Sequence, residues 1–280
     1  MDDQMTAPAG PVPEEVGQLY DRMTLLAADL LGDDTGHGYN AHLGYWDAPH
    51  SDLTYDEATD RLTDVLAGRL RIGAGSRLLD VGCGVGAPAV RIARLTGAEV
   101  TGIAVSREQV ARADALAHTT GLRGQVSFRQ ADAMDLPFDD ASFDAVLAIE
   151  SMPHMPDRGR VLREMRRVLR PGGRTVLTDF HRRRSPTPTA HPLRRVMGST
   201  TVPVDDYPAI LRAAGLEFVE MLDITDETVP RSFAALAEQA KRMRLEAEDI
   251  AAQCYFNPQS VIDVDLLGYL LVVARRPRHD

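Results

Sequence analysis

Cysteine is scarce: the 280 residues hold only two, Cys83 and Cys254. That is no disulfide framework, and it suits a reducing, cytoplasmic setting. Long apolar runs are also missing. None approaches the roughly 20 residues needed to cross a bilayer. An excess of basic charge is absent, the formal charge being -10 and the pI about 5.3. So acidic a surface repels phosphate backbones and anionic membranes, so neither nucleic acid nor a membrane is expected as a partner. The start of the chain is acidic and Pro-rich, without the basic and apolar stretches of a secretory signal.

What is present suffices for a full core, 44% of the residues being hydrophobic. Residues 1–13 read as a disordered tail. Residues 14–53 read as a helix followed by a cap loop. In the helix, Val16, Leu19, Tyr20, Met23, Leu26 and Leu30 recur at helical spacing over Glu14–Leu31. The remainder, 54–280, reads as one domain. Thr54-Tyr55-Asp56-Glu57 is a capping-box pattern that opens its first helix.

From Arg77 onward strand and helix signals alternate. Strands are expected at Arg77–Val81, Glu99–Val105, Gln125–Gln130, Phe143–Glu150, Arg174–Phe180, Glu217–Thr225 and Tyr269–Ala274. Helices are expected at Ala87–Thr96, Arg107–Thr119, Asp157–Leu169, Asp205–Ala214 and Arg231–Gln253. Such alternation implies βαβ units and a mostly parallel sheet with helices on both faces. The basic, Pro-rich block at about 181–204 interrupts it after the fifth strand. This is the end of the sheet where α/β folds bind ligands, so the block reads as a lid insertion.

The strongest chemical signal is Leu78-Leu79-Asp80-Val81-Gly82-Cys83-Gly84-Val85-Gly86, an apolar strand running through alternating glycines into a helix. Glycines let a backbone turn tightly and approach a ligand without interference from Cβ. Gly82, Gly84 and Ala87 alone also satisfy a dinucleotide fingerprint. Asp80 discriminates, because a carboxylate there repels a pyrophosphate but suits an ammonium group. A plain strand–helix turn capped by Asp80 is the alternative. A nicotinamide dehydrogenase is disfavoured because no acidic residue ends the second strand.

With Gln130-Ala131-Asp132-Ala133-Met134 and Leu169-Arg170-Pro171-Gly172-Gly173 added, the stretch 54–225 resembles the class I S-adenosylmethionine-dependent methyltransferases. The resemblance implies a Rossmann-like seven-stranded sheet whose last strand is antiparallel. It implies S-adenosylmethionine as cofactor, S-adenosylhomocysteine as product, and no metal. It places Asp80, Gly82, Cys83 and Gly84 around the amino-acid end of the cofactor and Glu150 beside its methionine moiety. Asp132 falls at the adenine amino group, with Ala133 and Met134 packing nearby. The family's acidic ribose ligand is missing, since its place reads Gly102-Ile103-Ala104-Val105-Ser106. Gln109 stands in for it, or else only ties off a helix start in the pattern Ser106-x-x-Gln109.

Glu150–Arg158 resembles the substrate side of a natural-product subgroup that includes sugar O-methyltransferases. That match sets His154 and Asp179 at the acceptor hydroxyl, His154 as base and Asp179 orienting its ring, with Pro153 where relatives often carry a second His. Glu15–Asp21 and His42–Trp46 resemble the methyltransferase-like cyclases of the spinosyn and teleocidin pathways. There an N-terminal helix covers the active site, and Tyr20 matches its anchoring tyrosine, unless it is an ordinary core residue. Tyr45 and Trp46 either line the cofactor pocket or pack the loop onto the core. Such an N-terminal arm also invites homo-oligomers by exchange between subunits.

The expectation is methyl transfer to a lipophilic small molecule in secondary metabolism, O-methylation being favoured. Its alternatives are C-methylation of a prenyl alkene coupled to cyclisation, with Phe180, Phe218, Phe233, Tyr255 and Phe256 as candidate walls, and a methyltransferase-like cyclase. A catalytically silent cofactor-binding module is the reading from another class.

Overall fold

The structure is a computed structural model that describes residues 13–31, 40–183, 202–242 and 267–279. Its central strands are short apolar runs buried on both sides. In β1 (Arg77–Val81) and β4 (Phe143–Ile149), neighbouring side chains go to opposite faces. Leu78, Ala145 and Leu147 thus join one core, while Leu79, Val146 and Ala148 join the other. β2 (Glu99–Ala104) and β3 (Val126–Gln130) extend the sheet on one side. On the other side lie β5 (Leu169–Arg182), β8 (Leu267–Arg275) and β7 (Glu217–Asp223).

The order is β3-β2-β1-β4-β5-β8-β7, with a two-residue strand β6 (Val202–Pro203) beside the end of β5. β8 runs antiparallel to both neighbours, and the other pairings are parallel. The fold is the expected seven-stranded, mostly parallel sheet plus one short added strand.

One core is closed by α2 (Tyr55–Leu70), α3 (Ala87–Thr96), α4 (Arg107–Thr119) and α7 (Thr225–Arg242), through residues such as Leu62, Ile92, Ala113 and Phe233. The opposite core is closed by α5 (Arg158–Val168) and α6 (Tyr207–Ala213), through Leu162, Met165 and Leu211. α1 (Pro13–Leu31) carries buried Val16, Leu19 and Met23 and packs on α4. Among the described residues no helix is long and apolar enough to cross a membrane.

Most expected elements lie within two residues of their observed bounds, and the exceptions have physical causes. β5 begins at Leu169, opposite Phe143; Arg170–Gly173 then loop out before Arg174 resumes the pairing opposite Ala145. It also runs on through His181 and Arg182, which the lid assignment had claimed, because β8 and β6 supply partners for both. α7 starts at Thr225, ahead of Pro230, where a proline-based reading delays it to Arg231. Asp223 fixes that start by accepting from the Thr225 N–H at 3.1 Å and from its hydroxyl. The expected tail, most of the insertion, and the continuation of α7 to Gln253 lie outside the described residues.

The capping box of α2 is complete. Thr54 Oγ1 accepts from the Glu57 N–H at 3.3 Å, and Glu57 Oε2 accepts from the Thr54 N–H at 2.8 Å. Thr54→Ala should therefore cost about 1 kcal/mol. Urea unfolding would record it as a lower midpoint at unchanged slope, and an unchanged midpoint would remove the cap from the stability of α2.

Candidate active site

The crevice opens where β1 ends. Gly82 and Gly84 both adopt positive φ, at 81° and 53°. A Cβ on Gly82 would lie 2.4 Å from that of Ser151, so the turn has no room for a side chain. A Cβ on Gly84 would meet no atom within 4 Å. The second glycine thus borders open space, the room that a close-lying ligand needs. The thiol of Cys83 is buried, pushed up by burial and aimed at the Gly84 carbonyl at 3.6 Å, so Cys83 contributes backbone rather than a reactive sulfur.

Asp80 sits at the head of this turn, 2% exposed, with Oδ2 buried and without a hydrogen-bond partner. Burial alone raises its pKa to about 7. A desolvated, under-satisfied carboxyl beside an open glycine turn fits a ligand carrying an ammonium group, so the residues present suit the amino-acid end of S-adenosylmethionine. The plain capping alternative is not what the geometry favours, since the helix after the turn is capped by Gly86 and receives no side-chain cap hydrogen bond.

The rim on the nucleoside side is formed by the ends of β2 and β3. Asp132 is half-buried after β3, and its Oδ1 accepts from the Met134 N–H at 2.8 Å, turning Ala133 into the core with Met134 packed at its edge. Ser106 accepts from the Gln109 N–H at 3.0 Å and caps α4. Only that half of the Ser106/Gln109 box is formed. Gln109 is nonetheless buried, which leaves it placed beside the end of β2.

Glu150 ends β4 in a left-handed conformation, with φ of 51°. Its Oε1 accepts from the Leu43 N–H at 2.7 Å and from the Tyr269 hydroxyl at 2.6 Å. The same hydroxyl lies 2.8 Å from Thr178 Oγ1. Desolvation raises Glu150 to about 7, against these two hydrogen bonds, which pull the other way. Neither Tyr269 nor Thr178 was visible as a site residue in sequence, because both sit in runs that read as core strand.

On the acceptor side, Tyr20 Oη lies 2.9 Å from His154 Nε2, and the rings meet edge to face at 5.4 Å. Desolvation pushes the phenol above its ordinary value, with Glu150 adding to the shift. The phenol therefore stays protonated and has a proton to donate toward the imidazole nitrogen. Tyr20 is thus a partner of His154 as well as a packing residue of α1.

Asp179 does not join that pair. It is fully buried in an ion pair with Arg158, whose Nη2 lies 3.4 Å from Oδ1, and it accepts from the Tyr207 hydroxyl. Burial raises its carboxyl despite these partners. Tyr20 contacts the His154 ring, while Asp179 ties α5, β5 and α6 together. Tyr45 is half-buried at the cap loop. Its N–H donates to the Ala58 carbonyl at 2.8 Å, its ring packs on the core, and burial, Glu227 and Asp47 raise its hydroxyl. Trp46 is likewise buried, under the Arg231 guanidinium 4.5 Å away. Among the proposed aromatic walls, Phe218 is 50% exposed on an edge strand and Phe233 is in the core. Phe180 packs on Tyr269, and Tyr255 and Phe256 lie outside the described residues. No group of three or more His, Cys, Asp or Glu able to hold a metal occurs among the described residues.

The two raised carboxyls set a sign for stability. Between roughly pH 4 and 7 the unfolded chain releases protons that folded Asp80 and Glu150 retain, so their ionisation lowers stability as pH rises through that window. Tyr269→Phe removes a donor from the ionised form of Glu150. It should destabilise by about 1–3 kcal/mol, and by more at pH 8 than at pH 6. Denaturation at both pH values measures this; an equal loss at each would uncouple the two residues.

Residues 79–177 match the family described as methyltransferase domain. The chain is 44% identical to the 27-O-demethylrifamycin SV methyltransferase of Amycolatopsis mediterranei, covering 95% of this chain and 98% of that protein. It is 38% identical to the O-methyltransferase resE of Aspergillus sclerotiorum, covering 95% and 98%. Among solved structures, the cyclase SpnF superposes with a TM-score of 0.80 at 32% identity, covering 96% of this chain and 98% of that one. With the glycine turn, the β8 reversal and this full-length likeness together, the chain belongs to the class I S-adenosylmethionine-dependent methyltransferases, in their natural-product group.

Proposed function

We propose that this enzyme methylates a hydroxyl group of a lipophilic natural product, with the Tyr20–His154 pair accepting the proton. The hydrogen bond between those two side chains carries the reading. It sets a group of near-neutral basicity at the acceptor side of a crevice already suited to the cofactor. The likeness to the 27-O-demethylrifamycin SV methyltransferase and to resE, which is named an O-methyltransferase, supports it. The paucity of cysteine suits work in the cytoplasm.

Bound S-adenosylmethionine supplies an electrophilic methyl on a sulfonium. Asp80 would pair with the ammonium, Gly82, Cys83 and Gly84 would shape the floor with their backbone, and Glu150 would border the methionine chain. Asp132 would accept from the adenine amino group beside Ala133 and Met134, and Gln109 would serve the ribose. Holding the nucleophile in line with the methyl contributes much of the acceleration. As the acceptor oxygen forms its bond to carbon, its proton passes to the phenol of Tyr20 while Tyr20 passes its own to His154 Nε2. Asp179 acts at a distance, through Arg158, on the loop that carries His154.

Two measurements test this. His154→Ala should lower kcat for an O-acceptor by roughly 10²–10⁴, followed by transfer of a labelled methyl. Full activity would instead favour transfer to carbon, since an alkene needs no base for attack. Asp80 in its ionised form is the partner of an ammonium, so affinity for S-adenosylhomocysteine should rise from pH 6 to pH 8 and level off above. Calorimetry on Asp80→Asn should show weak binding without Asp80's share of that rise; wild-type affinity in this variant would strike Asp80 from the cofactor site.

A further inference from the structure

Consecutive residues of α1 grip opposite lips of the crevice. Tyr20 holds His154 on the acceptor side, 2.9 Å away. Asp21 reaches the nucleoside side, where its Oδ1 accepts from the Ser106 hydroxyl at 2.5 Å and from the Glu108 N–H at 3.1 Å. Side chains one residue apart on a helix diverge by about 100°, which lets neighbouring residues of α1 reach His154 and the start of α4 at once. One turn earlier, Gly17 lies so close to Val105 that a Cβ would come within 2.9 Å of its carbonyl oxygen.

The contact at Asp21 is more than surface decoration. Ser106 is fully buried and is already the local cap of α4. Asp21 adds a second cap from another element, satisfying one more of the N–H groups left open at a helix start. Its negative charge also meets the positive end of the α4 dipole. The first turn of α4 carries Gln109, the residue proposed for the ribose. Asp21 thus fixes α1 against the element that borders the nucleoside.

We infer that Asp21 is a positioning residue that couples the docking of α1 to retention of the cofactor. A ligand enclosed beneath a docked helix leaves only when the helix lifts. Whatever weakens docking therefore speeds escape by a matching factor. This rests on the crevice being the cofactor site, and on α1 lying over it, but needs nothing from the acceptor chemistry.

The test measures dissociation of S-adenosylhomocysteine by stopped flow, its affinity by calorimetry, and tryptic cleavage after Arg22 of α1. Asp21→Ala should release S-adenosylhomocysteine about tenfold faster, as expected for loss of a charge-assisted hydrogen-bond pair. Cleavage after Arg22 in the bound protein should accelerate alongside. Asp21→Asn keeps an oxygen able to accept both bonds and should stay within about threefold of wild type. If Asp21→Ala merely lowers the melting temperature and leaves the release rate unchanged, Asp21 is a structural cap only and the inference falls. If Asp21→Ala does not fold, Asp21→Ser, which loses the charge and the reach, decides by the same comparison: release accelerated alongside cleavage after Arg22 upholds the coupling, and an unchanged release rate refutes it. The wild-type arm separates the underlying reading, because absence of S-adenosylhomocysteine binding there would overturn the cofactor site itself.

Discussion

One carboxylate joins three parts of this chain that are far apart in sequence. Glu150 closes β4 with a strained backbone, receives the Leu43 N–H from the N-terminal cap, and receives the Tyr269 hydroxyl from the antiparallel strand β8. No cation offsets its charge among these contacts. Burial raises its affinity for a proton, with Asp179 adding to the shift, against the two neutral donors that favour its ionised form. Strain and desolvation of this kind persist only where the surroundings over-determine them, and they gather at functional sites. The position of the cap, and with it the width of the crevice, depends on this junction.

Around it the two sides of the crevice are built differently. The cofactor side uses backbone: glycines with positive φ, helix starts and turn carboxylates at the ends of β1, β2 and β3. That is the general place for ligands in open α/β sheets, set by topology rather than by any one side chain. The acceptor side uses side chains from distant elements. His154 comes from a short turn after β4 and Tyr20 from α1, 134 positions away. The buried Arg158–Asp179–Tyr207 cluster stabilises the base of that turn. Removing one member of such a cluster strands a buried charge, so its role is in holding geometry.

The sequence by itself determined the sheet, the glycine turn and Asp80, because those signals are local. Hydrophobic alternation sets strands, and a strand running into Gly-x-Gly-x-Gly sets a turn whatever surrounds it. Tertiary structure decided the partners. It gave Asp179 to Arg158 and Tyr207, seated Tyr45 on the core, and brought Tyr20 to His154 and Asp21 to Ser106. It also extended β5 past the expected start of the insertion, since only the neighbouring strands β8 and β6 show that His181 and Arg182 have pairing to gain. Such pairings link residues far apart along the chain, and their energies depend on distance and burial in the folded state, neither of which a one-dimensional pattern contains.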